Sequence, residues 1–404
     1  MPTGVAKSDR SSVAKSGLRL EGWQVAILPL LVCVPLLVAR IKLLLTPLPM
    51  HDFVTYWAAG RLFLSGGNPY SISATYAMEQ SMGWIYSRQL VMLNPPWMLP
   101  IVAPLALLPF EFAHHLWFAI CLLLEVVCSL ALWRYFGGEK GHQWMALLLL
   151  ATYLPAGAAE HYGQITPLIL AGITLFLFAL RWHRYVLAGA CLAVLGLKPH
   201  LLYLVLLAIL LWSVRERKWS IPIAAYLLAL GGSLAAIAFN HTVLGYFRGT
   251  VQAAVDTDCG VGGGLRGIFG VQHVWLQFLP SMVGVVWFAF YWKRHRNAWV
   301  WEKHLPLLLL VSIGSAAYFW VHDFVIAIPA LIALAVQVDR ARVWHIVTVT
   351  YLMVQVVILN CGRPAACTAS LLWIALYWIG MLLCAPSAKA MDLGSSESSV
   401  VVGG

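Results

Sequence analysis

The chain has 404 residues, 61% of them hydrophobic and 10% charged, with a mean hydropathy of +0.81 and a formal net charge of +10. A soluble domain carries about a quarter charged residues, so this composition argues against a water-soluble globular protein. The basic residues sit in short links between apolar runs, which points to membrane topology rather than to nucleic-acid binding.

The first 22 residues are polar and mildly basic (Lys7, Arg10, Lys15, Arg19) and read as a cytoplasmic tail. An apolar run follows from Trp23 and ends in Ala39-Arg40-Ile41-Lys42-Leu43. It lacks a small-residue cleavage site, so it reads as an uncleaved signal-anchor helix. Apolar stretches able to cross a bilayer as helices then recur along the whole chain. Twelve crossings are expected, at 23–45, 111–133, 143–159, 164–180, 185–198, 200–213, 220–240, 268–292, 305–320, 324–338, 343–360 and 368–384. Barrel strands would instead read as short alternating segments. The expected fold class is therefore an all-α polytopic membrane protein whose transmembrane domain covers 23–384, followed by a disordered cytoplasmic tail at 385–404.

With the N-terminus inside, the cytoplasmic links hold most of the Lys and Arg, among them Arg134, Arg181, Arg184, Arg215, Lys218, Lys293 and Lys303. This obeys the positive-inside rule. The first outer loop (46–110) and a second long one (241–267) then face the other side. The stretch 94–109 holds five prolines, Pro95, Pro96, Pro100, Pro104 and Pro109. It reads as a re-entrant or interfacial piece, which is tolerated where protein covers the broken backbone. The alternative is a true crossing offset by one lost elsewhere.

Several polar residues stand out against this background. Asp52 follows the first crossing, ahead of a stretch at 53–64 whose apolar and aromatic residues have helical spacing, as in a helix lying along the interface. Asp52 is either the N-cap of that helix or a general base for a hydroxyl. Glu160, His161 and Gln164 sit between two apolar runs, as solvated charge or as ligand-binding groups. Lys198 lies among apolar residues, where a lysine is costly unless it is paired, faces water or snorkels; facing water, it offers a point charge for phosphate. The glycine-rich stretch 256–267 carries Asp256, Asp258, Cys259 and Arg266. It is either a mobile loop or a backbone that approaches an anion, with Arg266 forking onto phosphate oxygens. His322-Asp323 is either a capped turn or a binding pair. No metal-ligand spacing and no cofactor fingerprint is present. Cys361 and Cys367 flank Gly-Arg-Pro-Ala-Ala, where a disulfide is permitted if the loop faces outward.

Several of these pieces together resemble glycosyltransferase family 87, membrane enzymes of the GT-C architecture. They are Asp52-Phe53 with Tyr56-Trp57-Ala58-Ala59-Gly60, then Gly67-Asn68-Pro69-Tyr70 and Asn94-Pro95-Pro96-Trp97. Gly163-Gln164, Leu197-Lys198-Pro199 and His322-Asp323-Phe324 follow in order. The late motif often reads with paired His in the family; here the second position is Asp323. The resemblance implies a polyprenyl-phosphate sugar donor, mannose being the expected hexose. It further implies a lipid or glycan acceptor and a site facing the periplasm or cell exterior of a bacterial cytoplasmic membrane. Asp52 would be the base of an inverting transfer. Lys198, Arg266 and Arg40 would hold the donor phosphate, and His322, Gln164, His161, Glu160, Tyr56 and Asn94 are candidates for sugar or acceptor contacts. Two other classes fit the composition: a lipid-linked sugar flippase or transporter, and a non-catalytic subunit of an envelope-synthesis complex.

Overall fold

The computed structural model describes residues 33–38, 40–42, 52–85, 87, 89–251, 259–338 and 341–384. The expected tails at 1–22 and 385–404, as well as Asp256 and Asp258, lie outside the described residues. Within them the chain is helical, with no strand. Residues 33–38 and 40–42 are helical, and numbering starts after them with α1 (Asp52–Leu64), α2 (Ile72–Ser81), α3 (Leu99–Ala106) and α4 (Phe110–Tyr135). Next come α5 (Trp144–Thr152), α6 (Leu154–Tyr162), α7 (Thr166–Arg181), α8 (Tyr185–Leu195), α9 (Tyr203–Arg215), α10 (Ser220–Phe239) and α11 (Val243–Val251). After them come α12 (Val261–Phe269), α13 (Leu279–His295), α14 (Trp301–Gly314), α15 (Ile328–Gln337), α16 (Ala341–Asn360), α17 (Arg363–Ala369) and α18 (Leu372–Cys384). A 3-10 stretch, Val321–Ala327, leads into α15.

Among the described residues, four segments are long and apolar enough to cross a membrane: Phe110–Tyr135, Ser220–Phe239, Val343–Asn360 and Ala365–Cys384. The apolar helices between them are shorter, so the eleven crossings expected after residue 110 do not appear as eleven full-length helices; most of the first, at 23–45, lies outside the described residues. Breaks that periodicity does not reveal account for the difference. The run expected at 143–159 is split at Tyr153, whose backbone is extended, with Pro155 in the first turn of α6. Such a break leaves backbone groups without helical partners. Gln355 of α16 supplies them: its amide nitrogen donates to the Thr152 carbonyl (2.9 Å) and its oxygen accepts from the Leu154 N–H (3.2 Å). The run expected at 268–292 starts instead with α12, a turn and a 3-10 stretch before α13.

Two further expectations are corrected. The stretch 53–64 does form a helix, but α1 does not lie exposed along an interface. Phe53 through Gly60 and Phe63 are buried. Phe53 stacks on His114 of α4 (ring centroids 5.4 Å apart), and Gly60 packs so closely on α3 that a Cβ there would sit 2.7 Å from the Ala106 Cβ. The glycines at 262–264 belong to helix α12 rather than to a loop. Gly262 allows this segment to rest directly on the backbone of Gln277. The proline-rich stretch 94–109 contributes α3, whose eight residues span about 12 Å. That falls short of a hydrocarbon core of about 30 Å.

The end of α6 and the links at 163–165, 196–202 and 315–320 come together with the start of α1, at the end of the bundle where α4 begins. At the other end of α4, Tyr135 meets Arg181 at the end of α7 and Glu302 at the start of α14. The first grouping gathers most of the unusual polar residues at a single end of the helices.

Candidate active site

A cavity of about 690 Å³ opens at that end. It falls within the range of about 300–1,000 Å³ that suits a small-molecule or cofactor ligand. Asp52, Tyr56, Asn94, His161, Gln164, Lys198 and His322 all line it, so seven of the ten candidate residues converge. They come from α1, the 89–94 segment, α6, the links after α6 and α8, and the 3-10 stretch.

A hydrogen-bonded line runs along one wall. The Gln164 amide donates to Asp52 Oδ2, and its oxygen accepts from Lys198 Nζ at 2.8 Å. Lys198 Nζ also donates to Asp323 Oδ1 at 2.7 Å. Asp323 turns its other oxygen to the Trp320 N–H (2.8 Å), so it caps the 3-10 stretch while holding the lysine. Asp323 therefore takes the capping role that its sequence position allowed, and it pairs with Lys198 besides. An ammonium has three donors, and two of those on Lys198 are used within the protein.

The local backbone explains how Gln164 arrives there. Gly163 ends α6 in the left-handed conformation (φ 65°), and a Cβ on it would lie 2.6 Å from that of Phe53. Its carbonyl accepts from the Trp117 indole at 2.9 Å. This turn sets Gln164 beside the first residue of α1. The Asn94 amide donates to the Leu197 carbonyl (3.1 Å), fixing the residue before Lys198. His200 stacks on Tyr318 at a centroid distance of 4.1 Å, and burial lowers its pKa to about 4. It is a neutral ring at physiological pH.

Three candidates lie elsewhere. Arg40 pairs with Glu160 at 2.5 Å and approaches Glu125 at 3.8 Å, and neither Arg40 nor Glu160 lines the cavity. Glu160 and His161 are neighbours on α6, and successive helix positions point about 100° apart, so one faces the bundle interior and the other the cavity. Arg266 is buried and donates to the Val271 carbonyl and to Gln277 Oε1, which ties the end of α12 to the turn after it. Gln164 and Asn94 do line the cavity, but the bonds above give them linking and positioning roles. Among the described lining residues, Lys198 is the only lysine or arginine.

Glu79 of α2 was not singled out by sequence. Its carboxylate accepts from Thr55 Oγ1 (2.7 Å) and from the Leu90 N–H, and both partners line the cavity. Its other oxygen is buried and has no hydrogen-bond partner among the described residues. Burial, joined by repulsion from nearby Asp52, pushes its carboxyl above the usual range. The legible signal was weak: a lone glutamate in a polar stretch normally reads as a solvated charge.

Cys361 and Cys367 carry free thiols. The disulfide that the sequence permits between them is not formed.

No protein family, curated protein or solved structure matches this chain.

Proposed function

We propose that this chain is a membrane glycosyltransferase of the GT-C type. In this reading it moves a hexose, mannose in the first instance, from a polyprenyl phosphate to a hydroxyl of a lipid or glycan. The cavity faces the outer side of a bacterial cytoplasmic membrane. The observation that carries this reading is the line Asp52–Gln164–Lys198–Asp323 along the wall of one cavity. A carboxylate and an ammonium are held in one network beside aromatic surfaces from Tyr56, Trp84, Tyr162, Tyr318 and Trp320.

In the proposed reaction the acceptor oxygen attacks the anomeric carbon from the face opposite the phosphate. Its proton passes to Asp52. The bond between the anomeric carbon and the phosphate oxygen breaks, and its electron pair stays on the polyprenyl phosphate. The remaining N–H of Lys198 meets that developing charge. Asp323 holds the lysine in place, and Gln164 orients both the base and the cation. Arg40 and Arg266 have no part in this scheme.

The test uses purified full-length protein in membrane lipids with radiolabelled polyprenyl-phosphate mannose, followed by competing lipid-linked hexoses. Label moving to a new lipid or glycan product supports the proposal. Label that crosses the bilayer still attached to its polyprenyl phosphate would instead establish the flippase. Part-buried Arg40 with buried Glu125 and Glu160 favours that second reading, since ionisable groups inside the bundle are common in transporters.

A further inference from the structure

A second polar cluster lies inside the bundle and has no part in the proposed transfer. Glu125 sits near the middle of α4, a helix long and apolar enough to cross a membrane. Its side chain is 0% exposed, that of Glu160 on α6 is 1% exposed, and that of Arg40 is 10% exposed. Arg40 donates through one nitrogen to Glu160 Oε1 (2.5 Å) and through another to the Tyr153 carbonyl (3.2 Å). The nitrogen that holds Glu160 stands 3.8 Å from Glu125 Oε2, too far for a good hydrogen bond. The two carboxyls therefore flank a single guanidinium nitrogen. Among the described residues, no other Lys, Arg or His pairs with either of them. Both oxygens of Glu125 and Oε2 of Glu160 are buried without a hydrogen-bond partner among those residues. Ser129, one turn on from Glu125 along the same face of α4, is buried too, and its Oγ also lacks a partner there.

We propose that Glu125 and Glu160 form a proton-binding site within the bundle, in which Glu125 holds the proton as a neutral acid and Glu160 stays ionised as the counter-ion of Arg40. Two carboxylates against one guanidinium would leave a net negative charge sealed from water. A buried charge without a partner neutralises instead, and of two carboxyls that share a site, one retains its proton. The distances choose between them, since Glu160 has the direct bond to Arg40 and Glu125 does not. The proton turns Glu125 into a donor, in a neighbourhood whose unfilled acceptors are Glu160 Oε2 and Ser129 Oγ. Glu160 immediately precedes His161, which lines the cavity, so the site lies one residue from the cavity wall. Ionisable residues inside crossing helices are costly, and where they occur they mark ion or proton pathways. The inference does not depend on the proposed glycosyl transfer.

The test is infrared spectroscopy of the purified full-length protein near neutral pH, in a detergent without ester or acid carbonyls. A protonated glutamic acid gives a carbonyl band apart from those of carboxylates and of the backbone. The spectrum is recorded on Glu79→Gln, so that the carboxyl of α2 does not contribute, and the band is assigned by the shift that carbon-13 glutamate produces. The expected result is one such band, lost when either Glu125→Gln or Glu160→Gln is added, because the carboxyl that remains is then ionised against Arg40. Absence of the band from Glu79→Gln, where the pair itself is intact, would overturn the proposal. So would a band that persists in both added variants. A melting temperature that rises with sodium chloride but not with choline chloride, and loses that response in Glu125→Gln, would also overturn it, since the site would then hold a metal cation in place of the proton.

Discussion

Lys198 and Asp323 are 12% and 1% exposed, and each is the other's ion-pair partner. Removing one member of a buried pair strands the other, at a cost of about 3–5 kcal/mol. Lys198→Met should therefore lower the unfolding midpoint in detergent clearly, whereas Lys198→Met with Asp323→Leu should recover much of the loss. Equal damage from the single and double variants would contradict the pairing. Glu79 gives a pH signature. Its carboxyl is raised by burial, so the native chain retains a proton that the unfolded chain has released. Stability then falls as pH climbs from the ordinary glutamate range through the raised one. Glu79→Gln should flatten that dependence in thermal melts taken across pH, and an unchanged slope would exclude it. The sequence made Asp52, Lys198 and His322-Asp323 visible because polar residues interrupt apolar runs. It hid the internal pairing of Lys198 and the burial of Glu79, since both depend on residues distant in the chain.

At the scale of elements, the site rests on two interruptions of regular helix. Gly163 needs its positive φ and its missing Cβ in order to seat Gln164 against α1. Gly163→Ala should cost more than the ordinary ~1 kcal/mol of a left-handed alanine, because the new methyl also meets Phe53. The break between α5 and α6 depends on Gln355. Gln355→Leu leaves a buried carbonyl and N–H without their partners and should cost about 1–3 kcal/mol for each orphaned group. Denaturation of both variants in the same detergent checks these values, and wild-type stability would contradict the assignment. The existence of α4, α10, α16 and α18 was legible from unbroken hydrophobicity. The breaks were not, because whether a proline or glycine ends a helix depends on what satisfies the freed backbone. The placement of α1 was misjudged for a related reason: aromatic residues at helical spacing look alike on a bilayer surface and inside a bundle.

Among the described residues, seven of the ten polar candidates gather around one cavity, and the basic ends of α4 and α7 meet the start of α14 away from it. That arrangement turns separate motifs into one cavity, with Lys198 as its cation and Asp52 at the head of α1. Arg40, Glu160 and Arg266 show where sequence reasoning runs out, because a charge near an expected loop carries no mark of whether it faces a cavity or a partner. The most direct test of the central claim compares sugar transfer from polyprenyl phosphate by the wild-type chain and by Asp52→Asn. Donor binding is measured on the same reconstituted samples. Loss of a general base should slow transfer by about a hundredfold or more while donor binding persists; a variant that transfers at the wild-type rate would contradict the account.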